Sequence, residues 1–120
     1  MIPKNEELSI PRDLVFYNHI MIERKASLEE ISGNLSQERA RFEKEISCAP
    51  ERKALLIENA SYKDLVSGNY RTEYNVQSFL ATLQTFWHRY DFPVFFMPDR
   101  RYSGLWIKQF FEYYLKEQLK

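Results

Sequence analysis

Residues 19–31 read HIMIERKASLEEI, an apolar run that ends in charge directly before a helix start. The apolar run Ile20-Met21-Ile22 stops at Glu23-Arg24-Lys25, and Ser27-Leu28-Glu29-Glu30 follows at once. The run has the length and composition of a strand, placed at 20–25. Ser27 with Glu30 three residues later is a capping box, so a helix starts directly behind the strand. Side chains at i and i+2 of a strand share a face. Glu23 and Lys25 therefore project side by side, and Arg24 projects to the other face. A carboxylate can ligate a hard divalent cation. A neighbouring ammonium can orient or deprotonate a water, or neutralise charge on a phosphate. Alone, the tripeptide also fits a plain strand end reaching solvent.

Upstream, residues 14–17 form a second strand, joined to the first through Asn18-His19 as a two-residue turn. Residues 1–13 form an N-terminal arm rich in polar residues, with Pro3 and Pro11. Downstream, Ile31, Leu35, Phe42 and Ile46 recur at helical spacing, predicting one amphipathic helix near 28–47. Residues 54–57 are a continuous apolar run, typical of a strand buried on both faces. Ser61 starts a short helix ended by Gly68-Asn69, and residues 69–74 are a loop. Apolar spacing then predicts a helix over 76–90, a buried strand over 93–97, and a last helix capped by Ser103. The order is β-β-α-β-(α)-α-β-α. Strands alternating with helices imply an α/β domain over 14–120, a mixed β-sheet flanked by helices.

The bulk composition narrows the classes. Seventeen basic and seventeen acidic residues give a formal charge of zero, so any basic surface must be local. One cysteine, Cys48, excludes an intrachain disulfide framework and fits a reducing, cytoplasmic setting. No apolar run approaches the roughly 18 residues of a membrane span. Aromatic residues make up 16 % of the chain, which predicts a ring-rich core. His88 on the aromatic helix reads as a partly buried structural residue and His19 as exposed. No Cys/His spacing supports zinc.

MIERKASLEEISGNLSQERARF, followed by ALLIENASYKDL, resembles the XPF-type structure-specific nucleases, a branch of the PD-(D/E)xK restriction-endonuclease-like superfamily. Glu23, Arg24 and Lys25 match that family's Glu-Arg-Lys signature. Glu30-Ile31 fills its acidic-apolar pair, one residue late. Arg39 stands at the family arginine, with Glu38 in place of the usual glycine, and Glu43 falls near the usual glutamine. Leu55-Leu56-Ile57-Glu58 looks like the family's next core strand. The resemblance covers about residues 14–119 and is nearest to short stand-alone phage and bacterial members.

The resemblance implies a metal-dependent DNA endonuclease using Mg2+ or Mn2+, often on branched or flap DNA and often as a homodimer. It makes Glu23 a metal ligand, Lys25 the catalytic lysine, and the Arg24 carbonyl a second approach to the metal. Arg39, Arg41 and Arg71 are the DNA-binding candidates, and Lys44, Arg100 and Arg101 add local positive charge. The family also uses an upstream aspartate in a Gly-Asp-Tyr context, and Asp13 is the only aspartate before Glu23. With Tyr17 opposite Ile20, Leu14 faces Glu23 and Asp13 faces Arg24, which points Asp13 away from the candidate site. A one-residue slip reverses this. On the first register the family's first strand would lie upstream of Met1, and the 120-residue chain would be weak or inactive. A non-catalytic DNA-binding or dimerisation module of the same fold is the alternative, and inactive partners of this kind are known in the family.

Overall fold

The computed structural model describes the backbone of residues 13–16 and all of residues 19–120. Residues 1–12, Tyr17 at the expected strand end and Asn18 in the turn lie outside the described residues. Four strands form one sheet in the order β1-β2-β3-β4: β1 (Asp13–Phe16), β2 (Ile20–Lys25), β3 (Arg52–Glu58) and β4 (Val94–Met97). β1 is antiparallel to β2, while β2, β3 and β4 are mutually parallel. The first strand thus begins at Asp13, inside the segment expected to be arm.

The helices follow from the connections. Between β2 and β3 run α1 (Leu28–Leu35) and α2 (Arg39–Ser47), and between β3 and β4 run α3 (Tyr62–Val66) and α4 (Val76–Tyr90). Both crossovers step one strand in the same direction, so crossovers of one hand put their helices on one face. The packing agrees. Met21, Leu55 and Ile57 bury against Leu28, Ile31, Leu35, Phe42, Ile46, Phe79 and Phe86. After β4 a 3-10 turn (Arg100–Tyr102) leads into α5 (Ser103–Gln118), which covers the other face. There Ile20, Ile22 and Leu56 meet Ile107 and Phe111. All six residues of β2 are buried, as a central parallel strand requires.

The single helix expected over 28–47 is two helices. Ser36 donates its hydroxyl back to the Ser32 carbonyl at 2.6 Å, and Ser32 donates to the Glu29 carbonyl at 2.8 Å. Such side-chain bonds compete with the helical ladder. The ladder breaks there, with Glu38 N–H donating to Gly33 O at 3.1 Å, and α2 restarts at Arg39. The cap assigned to Ser103 is also corrected. Asp99 caps the preceding 3-10 turn through the Arg101 amide, and Ser103 is the buried first residue of α5, its hydroxyl turned to Glu58. At α1 the Ser27 hydroxyl does accept from the Glu30 amide, while the Glu30 carboxylate reaches one residue further back, to Ala26 N–H at 2.8 Å.

The ring-rich core is as expected. Phe42, Phe79, Phe86 and Phe92 are among the largest fully buried side chains. Phe42 lies stacked on Phe86 with centroids 6.2 Å apart. Burying rings of this size stabilises the helical layer by about 2 kcal/mol each.

Candidate active site

The site lies where the parallel strands end. Glu23 and Lys25 occupy the last turn of pleat in β2, on the face covered by α1, α2 and α4. The Lys25 ammonium lies 3.2 Å from Glu23 Oε2, and the two side chains are 11 % and 7 % exposed. The ammonium also sits over the Phe42 ring, 5.3 Å from its centroid. The apolar ring excludes water from one side of the lysine, and the carboxylate compensates its charge from another. Lys25 has three N–H donors and one carboxylate neighbour among the described residues.

Arg24 points to the opposite face, as its parity dictates. Its guanidinium forks onto Glu58, with Nε to Oε1 at 3.0 Å and Nη2 to Oε2 at 2.9 Å. The Ser103 hydroxyl donates to the same carboxylate at 2.5 Å. Asn59 completes the strand ends: its side-chain amide donates to Ala26 O at 2.9 Å and its backbone N–H to Met97 O at 2.8 Å. Asn59 holds a left-handed φ of 57°, which asparagine tolerates better than most residues. These bonds lock the ends of β2, β3 and β4 together and so fix the backbone that carries Glu23 and Lys25. The sequence reading placed Glu58 on the right strand but missed its pairing with Arg24. The signal was present: with β2 and β3 parallel, Arg24 aligns with Leu56, and Glu58 two residues on shares that face.

The register of β1 overturns the expectation for Asp13. Its Cα pairs with that of Glu23, Leu14 with Ile22, Val15 with Met21 and Phe16 with Ile20. The hairpin is one residue out from the pairing that set Asp13 against Arg24. Directly opposed residues belong to the same face of an antiparallel pair. Position 13 therefore stands on the Glu23 and Lys25 face, at the same strand end.

Whether this set suits a divalent cation can be tested on its donors. Among the described residues no three His, Cys, Asp or Glu side chains are grouped as ion ligands. Glu23 alone supplies a described carboxylate, and the register adds an aspartate position across from it. Two carboxylates with a backbone carbonyl and waters form an oxygen set of the kind that hard cations accept.

Most of the expected basic residues have local partners. Arg41 is 2.6 Å from Glu38 and 4.0 Å from Glu45, so its charge is locally answered. Arg71 is nearly fully exposed beside Glu29 of α1, at 3.8 Å, and its backbone N–H donates to the same carboxylate at 2.9 Å. These contacts hold Glu29 below the usual glutamate range. Arg39 lies over the Phe86 ring, 5.6 Å from its centroid. Arg101 is tied to Asp99. Glu43, near the family glutamine position, accepts from Tyr90 Oη at 2.6 Å and Arg89 Nη1 at 2.7 Å, and links α2 to α4. His88 is exposed rather than partly buried, and His19 is exposed as expected. Among the described residues, no helix is long and apolar enough to cross a membrane. No protein-family model matches this chain, and no curated protein matches it.

Proposed function

We propose that this chain is a metal-dependent DNA endonuclease of the XPF type, with a restriction-endonuclease-like fold, acting on branched or flap DNA as a homodimer. The observation that carries the reading is the pairing of Asp13 with Glu23, two residues before Lys25, on one face of one strand end. Asp13, Glu23 and the Arg24 carbonyl are the groups that would hold Mg2+ or Mn2+. When bound, such an ion supplies Lewis-acid stabilisation of the phosphate and a more acidic water.

The chain's own groups do the rest. The Lys25 ammonium, held by Glu23 and backed by Phe42, presents its remaining N–H donors toward the face where a phosphate would lie. There it hydrogen-bonds the attacking water or a non-bridging phosphate oxygen and offsets the charge that develops on phosphorus. The Arg24–Glu58 fork keeps the β2 end from shifting, which matters because misplacing reacting groups by about 1 Å can cost roughly 100-fold. Phe95, Leu105 and Tyr102 leave exposed apolar surface on β4 and at the start of α5, compatible with a second copy.

A non-catalytic DNA-binding or dimerisation module is the second reading. It is favoured by the Lys25–Glu23 contact, which engages the carboxylate an ion would need. Cleavage of flap and nicked-plasmid substrates in magnesium or manganese separates the two. The enzyme reading expects cutting that falls by about 100-fold or more in Lys25→Ala, Glu23→Gln and Asp13→Asn, by analogy with loss of positioned proton-transfer and electrostatic groups. Cutting that survives Lys25→Ala, or a parent protein that binds DNA and metal without cutting, sinks it.

A further inference from the structure

A second polar feature lies on the same face of the sheet. A cleft of about 470 Å³ opens between the α1–α2 break and α4, with Ser36, Arg39, Tyr74, Ser78, Thr82 and Thr85 in its lining. Four hydroxyls beside Tyr74 and one guanidinium line it, and no carboxylate does. The Arg39 guanidinium is the cleft's only charge, and among the described residues it makes no ion pair. Its neighbour two residues on, Arg41, makes two. The hydroxyls of Ser78 and Thr85 likewise make no hydrogen bond among the described residues, while Thr82 is engaged with Tyr74 Oη at 2.9 Å. Ser78 and Thr85 lie seven residues apart on α4 and so share one side of it. On the opposite side α4 buries Phe79, Leu83 and Phe86.

A cation that feels the Glu43 carboxylate without pairing to it, beside hydroxyl donors and in a concavity whose lining holds no acid, suits an oxyanion with several acceptor oxygens. Its position connects it to the candidate active site. Lys25 stands over Phe42, Phe42 stacks on Phe86, and Arg39 stands over Phe86. The two cations thus flank one stacked pair of rings, a separation that a strand bridges within a few nucleotides.

We infer that this cleft is a phosphate subsite for a nucleic-acid strand, with Arg39 as its charge and Ser78 and Thr85 as its hydrogen-bond donors. The choice of a strand over free phosphate rests on the nuclease reading; the oxyanion chemistry does not.

The test is binding of a labelled single-stranded oligonucleotide to the full chain in EDTA, where cleavage does not interfere, across a salt series. Arg39→Gln should weaken binding about five-fold or more and lower the salt slope by about 0.7, the loss of one phosphate contact. Arg39→Lys should restore the slope. Ser78→Ala/Thr85→Val should weaken binding about three-fold at unchanged slope. Oligonucleotide and inorganic phosphate are added separately while the Arg39, Ser78 and Thr85 amide signals are followed. Equal binding by the hydroxyl variant, or cleft signals moved by inorganic phosphate but not by the oligonucleotide, overturns the inference. Cleft-dependent binding by a chain that never cuts leaves the subsite standing and removes the nuclease. Cutting with a KM unmoved by Arg39→Gln and by Ser78→Ala/Thr85→Val does the reverse.

Discussion

The buried fork between Arg24 and Glu58 permits a worked prediction. The two side chains are 9 % and 5 % exposed, and Ser103, which donates to the same carboxylate, is fully buried. At an effective dielectric near 20, charges about 4 Å apart attract by about 4 kcal/mol. Desolvating both groups opposes that gain by several kcal/mol per ion, so the intact pair contributes little net stability. Removing one partner is a different matter. Glu58→Gln keeps the shape but replaces one acceptor oxygen with an N–H2 facing the guanidinium, and removes the Glu58 charge from beside a buried positive one. The expected cost is about 3 kcal/mol, at the lower end for breaking a buried pair because one amide oxygen still accepts. With a urea m-value of about 1.5 kcal/mol/M, the unfolding midpoint falls by about 2 M. The double variant Arg24→Met/Glu58→Leu should recover most of the loss, since no charge remains to be desolvated. Equilibrium urea unfolding of the parent, Arg24→Met, Glu58→Leu and the double variant gives the coupling directly, with Glu58→Gln measured alongside. A Glu58→Gln cost below about 1 kcal/mol would refute the reasoning, as would a double variant no more stable than the single one.

Two further predictions concern local features. Hydrogen bonds from Tyr90 and then Arg89 hold Glu43 below the ordinary glutamate value of 4.5. Its folded value lies below its unfolded one, so its contribution is complete above about pH 4.5 and is lost as pH falls through the depressed value. Glu43→Gln should therefore be less stable than the parent at about pH 6, and the gap should close toward about pH 3, as read by thermal unfolding. A gap independent of pH would refute it. Gly68 and Gly33 should respond to alanine with opposite signs. Gly68 has φ +73°, and an added Cβ would meet Val76 Cγ2 only at an ordinary 3.4 Å, so strain alone sets its cost, about 1 kcal/mol. Gly33 lies within α1 with open space around it, so alanine there should stabilise by about 0.5–1 kcal/mol, measured by the same unfolding scans.

What was legible from the chain was what periodicity alone determines. The alternation along β2 set Glu23 with Lys25 and turned Arg24 away, and the apolar spacing of α4 located it at residues 76–90, where it lies. What failed depended on contacts between segments or on single side chains. The break between α1 and α2 comes from Ser32 and Ser36 bonding backward, a choice the apolar spacing from Leu35 to Phe42 does not record. The Ser103 hydroxyl was expected at a helix cap, but Glu58, a carboxylate from a strand 45 residues earlier, captures it. The β1 register failed because a two-residue turn and its alternatives differ by one step, and one step exchanges the two faces.

That one step carries the most weight for function. β2 ends in charge on both faces, yet the two faces are built differently. On the α5 side every strong group is answered: the Arg24 fork meets both oxygens of Glu58, and Ser103 adds a third bond. Such closure accounts for the buried charge by structure alone. On the other side Lys25 is nearly as buried but has one carboxylate and one ring as neighbours among the described residues. A buried ammonium with spare donors is costly, and an apolar residue at position 25 would pack against Phe42 at least as well. With Asp13 against Arg24, that cost would have no evident use. With Asp13 across from Glu23, the same face holds two carboxylate positions and a lysine. Retaining the cost there is understandable if the face binds a cation and a phosphate. The Arg24 side thus accounts for its buried charge by structure alone, whereas on the Glu23 side the lysine is the residue whose retention a ligand-binding role would explain.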